Sequence, residues 1–229
     1  LSAISTANNP EVIHEEKHVI TISAFKWVPQ FAQGQVRDLR VRWALEEAGL
    51  PYRRRLLAQG DQDKPEYRAL QPFGQVPIYE EDGQVLFESG AIVLHIGARC
   101  EALLPKDEGA RARATQWLIA ALNSMEPHLM NVAVLDLFYS DQQWASLRRP
   151  SALEFARHRL RCLANSLGDK PYLDGQSFTA GDLMMTTVLR ILPDHIPDER
   201  LTAYVARCTA RPAFKRALDA QMADFQQAA

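Results

Sequence analysis

The spacing of apolar residues changes period once, near residue 100, and no other feature constrains the fold of this 229-residue chain as strongly. Before that point β-branched runs alternate with helical spacing. HVITISAF, residues 18–25, is a β-branched run that predicts a buried strand, and the loop after it carries Pro29 and Gly34 as breakers. Val36, Leu39, Val41, Trp43, Ala44 and Leu45 then follow helical spacing over 36–50, with Gly49 as a stop. PYRRRLL (51–57) predicts a second strand. KPEYRAL (64–70) predicts a short helix with Pro65 in its first turn, where the missing N–H does no harm. VPIYE (76–80) and QVLFE (84–88) predict a hairpin across Glu81-Asp82-Gly83, and SGAIVLHIGARC (89–100) an apolar helix.

Beyond residue 100 only helical periodicity continues: 110–138, 144–168, 180–192, 198–209 and 212–226. EALLPKDEGARA, with Pro105 and Gly109, has the composition of a linker. The expected division is a polar tail (1–17), an α/β domain (18–100), a linker (101–109) and an all-α domain (110–229), with a separate core in each domain.

The formal net charge of −2 carries no basic excess for neutralising phosphates, which excludes nucleic acid as the main partner. No stretch has the length of an apolar membrane span, and the start lacks the charged-then-apolar order of a signal peptide. The three cysteines, Cys100, Cys162 and Cys208, are odd in number and far apart. They show no metal-ligand spacing, so a reduced cytoplasm is expected and no metal site is assigned.

Pro77 falls inside a predicted strand, where proline removes a ladder hydrogen bond. The stretch Gln71-Pro72-Phe73-Gly74-Gln75-Val76-Pro77, followed by a hairpin and then Glu88-Ser89, resembles the pattern of glutathione transferases. The resemblance extends over 18–226. It implies a thioredoxin-like domain followed by a helical bundle, a homodimer, and glutathione as cosubstrate with no tightly bound cofactor. It also implies a cis Pro77 that turns the Val76 backbone outward to pair with a bound peptide. Ser89, at a helix start, would take the γ-glutamyl carboxylate, Glu88 its ammonium, and Gln75 an amide contact. Lys64 matches in part a position that meets the glycine carboxylate in plant-type relatives. Phe178-Thr179-Ala180-Gly181-Asp182-Leu183 has the form of a capping box, which in this family is structural; Thr179 and Asp182 are therefore assigned to the fold and not to the site.

The family usually places a Tyr, Ser or Cys after the first strand to stabilise the glutathione thiolate. Residues 25–39, FKWVPQFAQGQVRDL, contain none, and Ser23 lies within the strand. Either another group stabilises the thiolate or the protein binds glutathione without activating it. Arg37, counted back from the ALEEAG helix end, falls at the start of the first helix, where a cation and a helix N-terminus together depress a thiol pKa. The chain in this respect resembles a bacterial, eta-like branch that relies on arginine. Arg37 is the first catalytic candidate, with pairing to a carboxylate as its alternative. Arg190 is the second, either pointing into the cleft between the halves or neutralising a carboxylate. Phe25, Trp27 and Phe31 are candidates for an apolar wall. Met125, Met130, Leu135, Phe138 and Tyr139 either supply adaptable surface for a small hydrophobic electrophile or, at helical spacing, pack as core. The expected activity is transfer of glutathione to such an electrophile, in detoxification. A ligand-binding or scaffold protein of the same fold and a glutathione-dependent peroxidase are the alternatives.

Overall fold

A computed structural model describes residues 19–196 and 198–226; the expected tail (1–17) and His18 lie outside them. The first half runs β1 (Ile20–Phe25), α1 (Asp38–Ala48), β2 (Tyr52–Leu57), α2 (Pro65–Arg68), β3 (Tyr79–Glu81), β4 (Gln84–Leu86) and α3 (Ser89–Gly97). The four strands form one mixed sheet in the order β2-β1-β3-β4, with β1 parallel to β2 and antiparallel to β3. This is the thioredoxin-like layout, with α1 and α3 packed together on one face and α2 supplying Tyr67 to a small cluster with Leu57, Val76 and Ile78. Helix α1 stops at Gly49, whose φ of 65° lets its N–H return to the Leu45 carbonyl.

The hairpin is shorter than the sequence predicts. β3 begins at Tyr79, so Pro77 precedes the strand and costs no ladder bond. The Val76–Pro77 peptide bond is cis. A buried relay holds this segment: the Ile78 N–H donates to Ser23 Oγ (2.8 Å), Ser23 Oγ lies 2.8 Å from Tyr67 Oη, and the Tyr67 hydroxyl donates to the Gln75 carbonyl (2.7 Å). Ser23 is fully buried and spent on this relay, in keeping with its place inside the strand.

The second half contains α4 (Glu108–Ala120), α5 (Glu126–Phe138), α6 (Gln143–Leu167), α7 (Ala180–Leu189), α8 (Glu199–Thr209) and α9 (Pro212–Gln226). The single helix expected over 110–138 is interrupted by a wide turn, Ala121–Met125, with i→i+5 geometry. Pro127 explains it: proline has no N–H to give and its ring crowds the carbonyl four residues back, so the ladder opens. The capping box at the start of α7 is present as expected. Asp182 accepts from the Thr179 N–H (2.9 Å) and also from the Leu173 N–H and the Tyr204 hydroxyl. Gly181 lets α7 meet α4 closely, since a Cβ there would lie 2.5 Å from Trp117 Cβ.

The expectation of two separate cores is corrected. One buried cluster runs from Ile20 and Ile22 of β1 through Trp43 of α1 and Ile92 of α3 to Leu118, Leu183 and Phe214 of the helical half. The Trp43 ring packs on Phe178 and on Phe214 at centroid distances of 5.5 and 4.8 Å. Residues of the expected linker take part, because Leu103 is fully buried and its carbonyl accepts from the Ala180 N–H.

Candidate functional site

A cleft of about 440 Å³ opens between the two halves, within the range of small-molecule sites. Its floor is polar: Gln35, Arg37 and Arg40 from the start of α1, Gln62, Gln75 and the Val76 backbone, and Glu126 from α5. Its walls are apolar and come from both halves, Phe25 and Phe31 on one side, Met130, Leu137, Phe138 and Ile191 on the other. Phe31 meets Phe138 edge to face at 5.8 Å across the cleft mouth. Of the adaptable residues named from sequence, Met130 and Phe138 line this space; Met125 and Leu135 are core.

The floor is held by an ion triad. Arg40 is 4% exposed. It donates from Nη1 to Glu126 Oε2 (3.2 Å) and to Ser89 Oγ (3.3 Å), and from Nη2 to Glu126 Oε1 (3.0 Å). Arg37, with a side chain 42% exposed, donates from Nε and Nη2 to the same Glu126 Oε1 at 3.2 and 2.9 Å. Burial pushes the Glu126 carboxyl up, but the charges and hydrogen bonds of Arg40 and Arg37 outweigh it and hold the group below the ordinary carboxylate value. Burial lowers the Arg40 guanidinium, and Glu126 offsets only part of that.

Two helix starts flank this triad. Arg37 immediately precedes α1, and Ser89 is the first residue of α3; neither helix has a side-chain cap. In α1 the Leu39 and Arg40 N–H groups turn back to the Val36 and Arg37 carbonyls, whereas the Ser89, Gly90 and Ala91 N–H groups of α3 make no hydrogen bond among the described residues. Glu88 sits at φ 68°, ψ 112°, a costly conformation for a residue with a Cβ, and one that clusters at ligand sites. The backbone N–H and C=O of Val76 make no hydrogen bond among the described residues.

The sequence candidates thus separate. Arg37, Gln75, Val76, Phe25 and Phe31 line the cleft, and Ser89 joins it through Arg40, with Glu88 beside it. Trp27 is half exposed and does not line the cleft; its carbonyl accepts from Gln59 Nε2. Lys64 is exposed and pairs with Asp61 at 2.7 Å, outside the cleft lining. Arg190 lies over the Phe214 ring at 5.1 Å, also outside the lining. Burial lowers its pKa, and no carboxylate pairs with it among the described residues. Arg40 and Glu126 were missed. Arg40 shares its helix with Asp38, Arg42, Glu46 and Glu47, so charge alone does not single it out, and nothing near Glu126 in the chain marks it. No cluster of metal-ligating side chains occurs among the described residues.

Residues 39–99 match the family described as glutathione S-transferase, N-terminal domain. A glutathione S-transferase-like protein of Aspergillus terreus is 26% identical over 219 residues, 84% of this chain and 94% of the relative. A glutathione S-transferase of Hyoscyamus muticus is 28% identical over 181 residues, 70% of this chain and 81% of the relative. Among solved structures, a theta class glutathione S-transferase from Xanthomonas axonopodis pv. citri with glutathione bound is 29% identical, with a TM-score of 0.73 over 88% of this chain and 97% of that one. A glutathione transferase family member from Pseudomonas fluorescens with two glutathione bound shares the fold, at 22% identity and a TM-score of 0.76 over 89% of this chain and 94% of that one. The match over residues 39–99 and the relatives aligned over most of their length make this chain similar to the glutathione transferases.

Proposed function

We propose that the protein binds glutathione in the floor of the cleft and activates its thiol for addition to small apolar electrophiles held by the Phe25, Phe31, Met130 and Phe138 walls. The observation that carries this reading is the floor itself. Two arginines share one carboxylate beside the uncapped start of α3, which leaves a donor-rich surface for an anionic peptide, with the Glu88 carboxylate at its edge. The γ-glutamyl carboxylate goes to Ser89 and the start of α3, with the Glu88 carboxylate for the ammonium. The unpaired Val76 backbone pairs with the peptide, and Gln75 adds an amide contact.

Arg37, at the start of α1, stabilises the thiolate. A free thiol has a pKa near 8.5 and is little ionised at neutral pH; a cation beside a helix N-terminus favours the anion. The thiolate then attacks the electrophilic carbon, its electron pair forms the C–S bond, and the leaving group departs or the acceptor takes up a proton. A binding protein without turnover is the second reading, favoured by the hold of Glu126 on Arg37. The proposal includes a homodimer; sedimentation as a single 25.8 kDa species counts against it.

A glutathione titration followed by thiolate absorbance across pH separates the two readings. A thiol pKa well below 8.5 supports activation. Saturable binding with an unshifted pKa supports the binding protein. No binding sinks both.

A further inference from the structure

Glu126 does two jobs at once in the geometry above, and only one of them is charge neutralisation. Its Oε1 accepts from Arg37 Nε, Arg37 Nη2 and Arg40 Nη2, while Oε2 takes Arg40 Nη1. Both guanidinium groups are therefore held along one edge. Arg37 Nη1 makes no hydrogen bond among the described residues, and Arg40 Nη1 reaches on to Ser89 Oγ. The carboxylate comes from the helical half, whereas both arginines and Ser89 belong to the α/β half. The wide turn Ala121–Met125 directly precedes Glu126 and sets where its side chain enters the cleft. Glu126 is 6% exposed, so the held geometry is not averaged away by water.

We infer that Glu126 is a positioning residue: from the helical half it fixes Arg37 and Arg40 so that their remaining donors face the start of α1 and the start of α3, the two ends of the glutathione floor. This rests on the glutathione reading given above. It makes the helical half part of the peptide site, beyond its role as a wall for the second substrate.

The sign of one substitution tests it. Glu126→Gln removes a negative charge from the floor. If Glu126 acts through charge alone, the floor becomes more positive, glutathione binds more tightly and its thiol pKa falls further. If Glu126 positions the arginines, an amide oxygen can stand in for Oε1, but the amide nitrogen in place of Oε2 cannot accept from Arg40 Nη1, and the bonds that remain lose their charge assistance. Glutathione affinity then falls about tenfold and the thiol pKa climbs by about one unit toward its free value. Glu126→Asp keeps the charge but is one methylene too short to span both arginines, so it lies between wild type and Glu126→Gln. It also carries the test with the same sign if Glu126→Gln does not fold. The side-chain Nε–Hε signal of Arg37, which donates to Glu126, gives a readout in the free protein independent of ligand: slow exchange in wild type, fast in Glu126→Gln. A variant that binds glutathione as wild type does, with an unshifted or lowered thiol pKa, overturns the inference and leaves the function standing. A wild-type protein that does not bind glutathione overturns both.

Discussion

Helix α1 and the Arg37 that precedes it carry two arginine–carboxylate clusters on different faces, and they are built to opposite ends. On one face Arg37 and Arg40 share Glu126, two cations to one anion, at the floor of an open cleft. On the other, Arg42 is fully buried between Asp38 (2.7 Å) and Asp224 of α9 (2.6 Å), with Arg54 also on Asp224 and Gln221 donating to Asp38 and to the Val36 carbonyl. There two cations meet two anions. The second cluster has no spare charge and fastens α9 to α1; the first, counted as a triad, has one cation in excess, with Glu88 also acting on Arg40, and keeps donors in reserve. A buried network that balances its own charge is a structural clamp, whereas one that stops short of balance is a place for a ligand.

The largest effect should fall on the closed cluster. Arg42→Met leaves Asp38 and Asp224 buried without their shared partner, and should cost about 3–5 kcal/mol in denaturant unfolding. A loss of less than about 1 kcal/mol would break the comparison, since it would mean the clamp fastens nothing.

On the open face Arg37→Ala should behave the other way round. Its side chain is 42% exposed, so stability should shift by about 1 kcal/mol or less. The thiol pKa of bound glutathione should rise by about one unit, and turnover should drop about tenfold or more. Full turnover in this variant would remove Arg37 from the chemistry.

The pH dependence sharpens the contrast further. The Glu126 carboxyl is held below its ordinary value in the folded protein, so between the native and unfolded pKa values the unfolded chain binds more protons. Its contribution is therefore fully present above about pH 4.5 and is lost as pH falls through the native pKa. Thermal melts from neutral to acid should show a smaller acid slope in Glu126→Gln than in wild type. Equal slopes would mean that the triad adds nothing to the junction of the halves.

The smallest effect is expected at Lys64, whose ammonium is exposed and already engaged by Asp61. Lys64→Ala should change glutathione affinity by less than about twofold. A larger loss, read by calorimetric titration, would extend the glutathione floor out to α2.

What the sequence showed plainly was whatever rests on neighbours in the chain. The switch in period near residue 100, the helix stop at Gly49 and the Thr179–Asp182 box are local patterns, and each appears where expected. Gln75 and Val76, from the stretch ending in Pro77, line the cleft, and Ser89 reaches it through Arg40. The residues that complete the floor were not legible, because Arg40 and Glu126 are partners across 86 positions and nothing around Glu126 distinguishes it from a solvated helix carboxylate. The same distance hid the shared core, since apolar residues advertise burial without saying against what. It also hid the place of Arg190, on a Phe214 ring that only the packing of α9 brings to it. Sequence alone determined the elements, their order and part of the cleft lining, because backbone propensity and turn chemistry act over a few residues. The tertiary structure decided which charges face one another and which are left over. Those energies depend on distance and burial, and both are set only when the two halves close.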